Sequence, residues 1–260
     1  MSNRQEERPP EQVEGKNPVI EALRGPRRVH AVYLAPGRSD RGATSLILSL
    51  AGERGVPVKT LPHDEFERLS HTASPQGVIA RVSKYPYLSV EELHGNPGRA
   101  PLFLALDGVQ DPQNFGSLLR VAEGCGVDGV LVPARRSCPV TPAVCKASAG
   151  AAEHVKIARV PNLCRALENL KRRMGLWVAG ACADGDTLYS ELDLTVPLVL
   201  VLGGENKGIR RLVREHCDML ARVPMTGRVN SLNVAACGAI ILYEALRQRA
   251  AAGPGTDTGA

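Results

Sequence analysis

The chain has 260 residues, 43% of them hydrophobic, with a formal net charge of +5 and a pI near 8.9. That is enough apolar material for one large core or two smaller ones, and no window approaches the roughly 18 apolar residues that a membrane span needs. Aromatic residues make up only 3%, which argues against a surface built mainly on base stacking, and the 26 glycines and 19 prolines follow no repeat. The mild basic excess suits a polyanionic partner without requiring one. Seven cysteines are scattered with no CxxC pair and no metal-ligand spacing, so they read as reduced thiols in a soluble cytoplasmic protein.

Residues 1–14 are charged and contain prolines, and 251–260 are small and polar; both are predicted to be frayed tails. A first domain, 15–82, alternates helix and strand. Asn17 is placed to cap a helix with Pro18 at its first position, running through Leu23 to a stop at Gly25. Val29–Leu34 is β-rich, Leu46, Ile47 and Leu50 have helical spacing before Gly55, and Val56–Leu61 reads as a strand. Asp64 and Glu67 resemble a capping box for a short helix, and Gly77–Val82 closes the domain as a strand. Residues 83–100, with three prolines and mixed charge, are the predicted linker.

A second domain, 101–250, opens on the apolar run Leu102–Leu106, of the kind buried parallel strands show. Further strands are predicted at Gly129–Val132, Val155–Val160, Leu176–Ala181, Pro197–Leu202 and Met219–Val223, with helices at Asn162–Arg173 and Leu232–Arg249 among the intervening segments. This alternation predicts an α/β fold with a mostly parallel sheet covered on both faces.

One familiar pattern misleads. Gly124-Cys125-Gly126-Val127-Asp128-Gly129 matches GxGxxG, but a dinucleotide fingerprint follows a strand and opens a helix. Here a helix ends at Gly124 and a strand follows, so these are helix-stop and turn glycines, and an oxidoreductase reading is rejected.

Three other clusters carry chemistry. Asp107-Gly-Val-Gln-Asp111-Pro112-Gln-Asn114-Phe-Gly116, followed by Arg120, lies where a buried strand hands over to a helix, the edge at which open α/β sheets bind ligands. Asp111 and Pro112 are explained as a helix start, whereas Asn114, Gly116 and Arg120 are not. Gly203-Gly204-Glu205-Asn206-Lys207-Gly208 follows a second apolar strand, and its glycines allow close approach to backbone. Its spacing is wrong for a P-loop. Val223-Pro-Met225-Thr-Gly-Arg-Val-Asn-Ser231-Leu232-Asn233 follows a third strand; Ser231 is placed as the cap of the last helix and Asn233 in its first turn.

In order and spacing these clusters resemble the SpoU-type RNA 2′-O-methyltransferases of the SPOUT class, most closely the bacterial enzymes that methylate a guanosine of large-subunit ribosomal RNA. Gly15–Leu23 and Gln76-Gly77-Val78 similarly resemble that family's ribosomal-protein-like substrate-binding domain. Asn206 departs from the glycine many relatives carry. The resemblance implies a deep trefoil knot in the last third of the second domain and a homodimer with its interface beside the active sites. It implies S-adenosylmethionine held by Gly203, Val223, Met225 and Leu232, catalytic roles for Asn114, Arg120, Glu205, Ser231 and Asn233, and no metal. Within that frame Arg120 polarises the ribose oxygen and a neighbouring phosphate rather than acting as base, because a guanidinium rarely gives up its proton. Glu205 orients Arg120 or Asn114, Ser231 and Asn233 hold the ribose, and Lys16, Arg24, Arg27 and Arg28 are offered to RNA phosphates. The same reaction on transfer RNA, or a non-catalytic RNA-binding role, is the alternative.

Overall fold

The computed structural model describes residues 11–37, 41–205 and 207–253. Of the predicted tails at 1–14 and 251–260, residues 1–10 and 254–260 lie outside them, as does Asn206, whereas Ala251 and Ala252 continue the last helix. The chain divides into two compact units: residues 11–86 with 139–154, and residues 87–138 with 155–253.

The first unit is a four-stranded sheet in the order β1-β4-β2-β3, built from β1 (Glu11–Glu14), β2 (Val29–Leu34), β3 (Val58–Thr60) and β4 (Val78–Val82). β4 pairs antiparallel with β1 and β2, and β2 pairs parallel with β3. Helices α1 (Lys16–Arg24), α2 (Arg41–Glu53) and α3 (His63–Leu69) join the strands. α1 buries Val19, Ile20, Ala22 and Leu23 on one face. Two predicted caps are corrected. Gly15, at φ 101°, precedes α1 in place of Asn17, and Pro62 precedes α3 in place of Asp64, each without a side-chain cap. β1 falls where a tail was predicted. Its Glu14 is fully buried and accepts from the His71 and Thr72 backbone amides and from the side chains of Thr72 and Gln12. Those bonds come from 57 and 58 residues along the chain for the two amides, so no local pattern marks the strand.

Burial pushes the Glu14 carboxyl upward, but the hydrogen bonds from Thr72, His71 and Gln12 outweigh it and hold the group below its ordinary 4.5. A depressed carboxylate stabilises the fold above that ordinary value and loses its contribution as pH falls through the native one. Acid titration of the wild type is therefore expected to unfold this unit more steeply below about pH 4.5 than titration of Glu14→Gln. Parallel acid-unfolding curves for the two proteins would rule this out.

Residues 139–154 belong to this unit although they come from the second half of the sequence. They contain α5 (Pro142–Ala147), capped by Thr141, and the buried carboxylate of Glu153. Arg27 donates to Glu153 (3.0 Å), to Glu11 (2.5 Å) and to the Ser83 carbonyl (2.7 Å), with the Tyr85 ring 5.6 Å from its guanidinium carbon. Arg27 is buried in the fold and is withdrawn as a phosphate contact. Arg24 pairs with Glu21 at 2.9 Å, whereas Arg28 is exposed.

The second unit is a seven-stranded sheet of β5 (Leu102–Asp107), β6 (Gly129–Pro133), β7 (Ile157–Val160), β8 (Trp177–Ala181), β9 (Thr187–Leu188), β10 (Leu198–Gly203) and β11 (Met219–Arg222). Their order is β7-β6-β5-β10-β8-β11-β9, and every pairing is parallel. All six residues of β5 are buried, as are the first five of β10. Each apolar side chain so placed is worth roughly 1.5–3 kcal/mol of transfer free energy, which fixes the two strands as the sheet's centre. The connecting helices are α4 (Pro112–Gly124), α6 (Leu163–Met174), α7 (Arg211–Arg214) and α8 (Val234–Ala252). Part of the segment predicted as a linker is ordered here: Leu88 bridges Ala158 and Leu93 is wholly buried. α4 ends at Gly124 before β6 opens at Gly129, the reverse of a dinucleotide-binding turn.

Candidate functional site

β5 and β10 lie side by side in register, Leu102 opposite Leu198 through Asp107 opposite Gly203, so their following loops leave the sheet together. Strand order changes direction here, since β6 follows β5 to one side and β10 fills the other. That is where an open parallel sheet leaves a crevice at its carboxyl edge. The two loops are pinned to each other. The fully buried Asp107 carboxylate accepts from the Arg210 backbone amide (2.8 Å), its Nε (2.7 Å) and its Nη2 (2.5 Å). Gly204 donates its amide to the Asp107 carbonyl at 2.9 Å. Neither Gly203 nor Gly204 tolerates a side chain. A Cβ on Gly203 would stand 2.0 Å from the Gly208 carbonyl carbon, and one on Gly204 would stand 2.2 Å from the Gly108 oxygen.

Arg210→Ala removes two of the three donors to a buried carboxylate. Charged hydrogen bonds are worth about 1.5–3 kcal/mol each, but the Arg210 side chain is 43% exposed and water substitutes for part of that. We expect a loss of about 1–2 kcal/mol and a melting temperature lowered by roughly 2–8 °C. Thermal denaturation checks it, and an unchanged midpoint would show that the pair does not hold the loop.

The three clusters meet through two side-chain amides and a carboxylate. Asp111 caps α4 by accepting from the Asn114 backbone amide at 2.8 Å, which sets Asn114 at the third position of the helix. The Asn114 side chain donates Nδ2 to Glu205 Oε1 and accepts at Oδ1 from Asn233 Nδ2, both at 2.8 Å. Asn233, in place of the predicted Ser231, caps α8, its Oδ1 accepting from the amides of Ala235 (2.8 Å) and Ala236 (3.3 Å). The polarity of the chain is therefore fixed. A carboxylate only accepts, so Asn114 turns its amino group to Glu205 and its oxygen to Asn233, whose own oxygen is committed to the helix.

Beside this relay lies a cavity of about 800 Å³. Gly203, Glu205, Val223, Met225, Ser231 and Leu232 all line it. Met225 and Leu232 keep 38% and 39% of their surface exposed, giving it an accessible apolar wall. Ser231 is an exposed member of this lining and joins no bond of the relay. Asn114, Asn233 and Arg120 are not among the lining residues. Arg120 lies exposed on α4, six residues beyond Asn114, and makes no hydrogen bond or ion pair with the other described residues. Among the described residues Glu205 is accordingly bonded to Asn114 and not to Arg120. Sequence reasoning did not single out Asp107–Arg210, although Asp107 opens the first cluster. It also missed the wall formed by Ala181–Asp184 after β8, which has no motif to betray it.

All seven cysteines are free thiols. Cys182 and Cys237 line the cavity, and burial pushes both thiols up, so neither offers a thiolate near neutral pH. Among the described residues, no cluster of His, Cys, Asp or Glu could hold a metal, and no helix is long and apolar enough to cross a membrane.

An all-parallel sheet with a glycine-lined cavity and a polar relay at its carboxyl edge is the arrangement of α/β proteins that bind a small ligand at that edge. The SpoU rRNA Methylase family model matches residues 101–243, and the model for RNA 2′-O ribose methyltransferase substrate binding matches residues 12–88. The chain belongs to the SpoU rRNA methylase family. It is 44% identical over 227 residues to the 23S rRNA (guanosine-2′-O-)-methyltransferase RlmB of Pseudomonas putida, covering 86% of this chain and 90% of that one. A second RlmB, from Pseudomonas aeruginosa, is 44% identical over 243 residues, 92% of this chain and 97% of the relative. Among solved structures, the SpoU methyltransferase AviRb from Streptomyces viridochromogenes, in complex with AdoMet, superposes with a TM-score of 0.78. It is 26% identical and the match spans 92% of this chain and 90% of that one.

Proposed function

We propose that this protein methylates the ribose 2′-hydroxyl of a guanosine in 23S ribosomal RNA, using S-adenosylmethionine. The observation that carries the reading is the convergence of the β5, β10 and β11 loops. They place the Asn114–Glu205–Asn233 relay against the glycine-lined cavity. The cavity fits the cofactor in size and lining, with Gly203, Gly204 and Gly208 lining it together with Val223, Met225 and Leu232. Bound there, S-adenosylmethionine supplies a methyl group made electrophilic by its sulfonium.

The protein's own residues then have two tasks, alignment and charge management. Holding two reactants in a near-attack geometry contributes roughly 7–11 kcal/mol. Asn114, locked by Glu205 and Asn233, and Ser231 on the cavity rim hold the ribose. Arg120, with no partner of its own among the described residues, faces the charge that develops on the 2′-oxygen and stabilises it, while the proton leaves to phosphate or water. Residues 15–82 select the RNA and residues 101–250 perform the transfer, with 83–100 joining them in sequence. The same reading carries a cytoplasmic homodimer and a trefoil knot. In support of the knot, β10 and β11 each slot beside strands laid down earlier in the chain.

Incubation with methyl-labelled S-adenosylmethionine and separated RNA pools, followed by nucleoside mass spectrometry, tests the function. The expected product is 2′-O-methylguanosine in 23S rRNA. Label confined to transfer RNA would replace the substrate, and a base-methylated product would overturn the reaction.

A further inference from the structure

The turn Ala134–Cys138, after β6, is pinned on both sides. Ala134 donates its amide to the Val160 carbonyl at 2.8 Å, and its own carbonyl accepts from Arg159 Nη2 at 2.9 Å. Ser137 donates to the Pro133 carbonyl. Cys138 donates its amide to the Val109 carbonyl at 3.1 Å, so the turn leans on the loop that leads to Asn114. The turn also comes close to the start of that loop, where a Cβ on Gly108 would stand 3.9 Å from the Arg136 carbonyl oxygen.

Two arginines stand on this turn. Arg135 and Arg136 are exposed and make no hydrogen bond or ion pair with the other described residues. Arg136 moreover has φ 61°, a left-handed backbone that L-residues with a Cβ adopt at a cost. Gln76, the other polar residue with positive φ among those described, uses its side chain inside the fold, accepting the Lys16 amide. Arg136 has no such internal return. A rigid turn that strains its backbone to display two unpaired guanidinium groups at the sheet's carboxyl edge matches an oxyanion ligand. Guanidinium forks bind phosphate oxygens through paired donors, and such contacts set register on a nucleic acid.

We propose that Arg135 and Arg136 form a phosphate-binding subsite that grips the RNA backbone next to the target ribose and fixes its register against Asn114. This rests on the assignment of RNA as substrate. The pair binds and positions; it takes no part in proton or methyl transfer.

The test uses the full chain and 23S rRNA as the probe, with affinity measured across a salt series for wild type, Arg135→Ala/Arg136→Ala and Arg136→Gly. The glycine variant relieves the strained φ, so its folding is not at risk. A control, Arg172→Ala/Arg247→Ala, removes the same charge from exposed positions near the carboxyl ends of α6 and α8. We expect RNA affinity to fall about tenfold or more in the double variant, with the slope of log affinity against log salt reduced by about 1 to 2. Arg136→Gly is expected to show a smaller loss of the same kind. The control should keep the wild-type slope, and S-adenosylmethionine affinity by calorimetry should be equal in all four proteins. A double variant with wild-type slope and affinity, or a control that loses as much, overturns the subsite. If the wild type binds the RNA but transfers no methyl group, the proposed reaction fails, while the slope still decides the arginines.

Discussion

Arg120→Ala is expected to lower kcat by about 10²–10³-fold, or roughly 3–4 kcal/mol of barrier, while leaving S-adenosylmethionine affinity within about twofold of wild type. The split follows from position. Arg120 lies on α4, is not part of the cavity lining and forms no internal bond among the described residues, so its removal leaves both the pocket and the fold intact. Arg120→Lys keeps the charge and loses the planar fork, and we expect it to recover only part of the turnover. Its pH–rate profile should keep the wild-type shape. Near-wild-type turnover with a displaced acidic limb would instead make residue 120 the proton acceptor, and the electrostatic role assigned to it would fall.

The second large effect is a coupling. Asn114→Ala is expected to cost about 10²-fold in kcat, because it removes the member of the relay that touches both neighbours. Glu205→Ala should cost about 10- to 100-fold, and Glu205→Gln less, since an amide oxygen still accepts from Asn114. The double variant Asn114→Ala/Glu205→Ala is expected to be about as impaired as Asn114→Ala alone, because the carboxylate works through the asparagine. A double variant showing the product of the two losses would mean that Glu205 acts on substrate or cofactor by itself.

Much of the fold was legible in the sequence because its strands are local apolar runs. Val29–Leu34 forms a strand over the bounds read from its residues, and the predicted all-apolar run at 102–106 is the buried centre of a parallel sheet. What escaped was non-local or ambiguous. Glu11–Glu14 is mostly polar and becomes a strand by pairing with β4, while side chains and amides at 70–72 satisfy its buried carboxylate. α5 begins at a proline that reads equally well as a turn, and its segment packs in a unit whose other residues lie far away in sequence. The caps at Asn17, Asp64 and Ser231 were misread for one reason. Each is a good capping residue one or two positions from the true helix boundary, and composition does not choose between neighbours. At the site, the three clusters named Asn114, Glu205 and Asn233, but their mutual bonding direction emerges only once Asn233 is seen to cap α8.

That cap ties local helix folding to site assembly. The amides of Ala235 and Ala236 are held by an oxygen whose amino group is held, in turn, by Asn114. Fraying of the first turn of α8 and loss of the relay are thus one event, and whatever steadies the asparagines from the ligand side also closes the helix. Hydrogen exchange at those two amides becomes an occupancy gauge, slowing as the pocket fills although neither residue need touch what fills it.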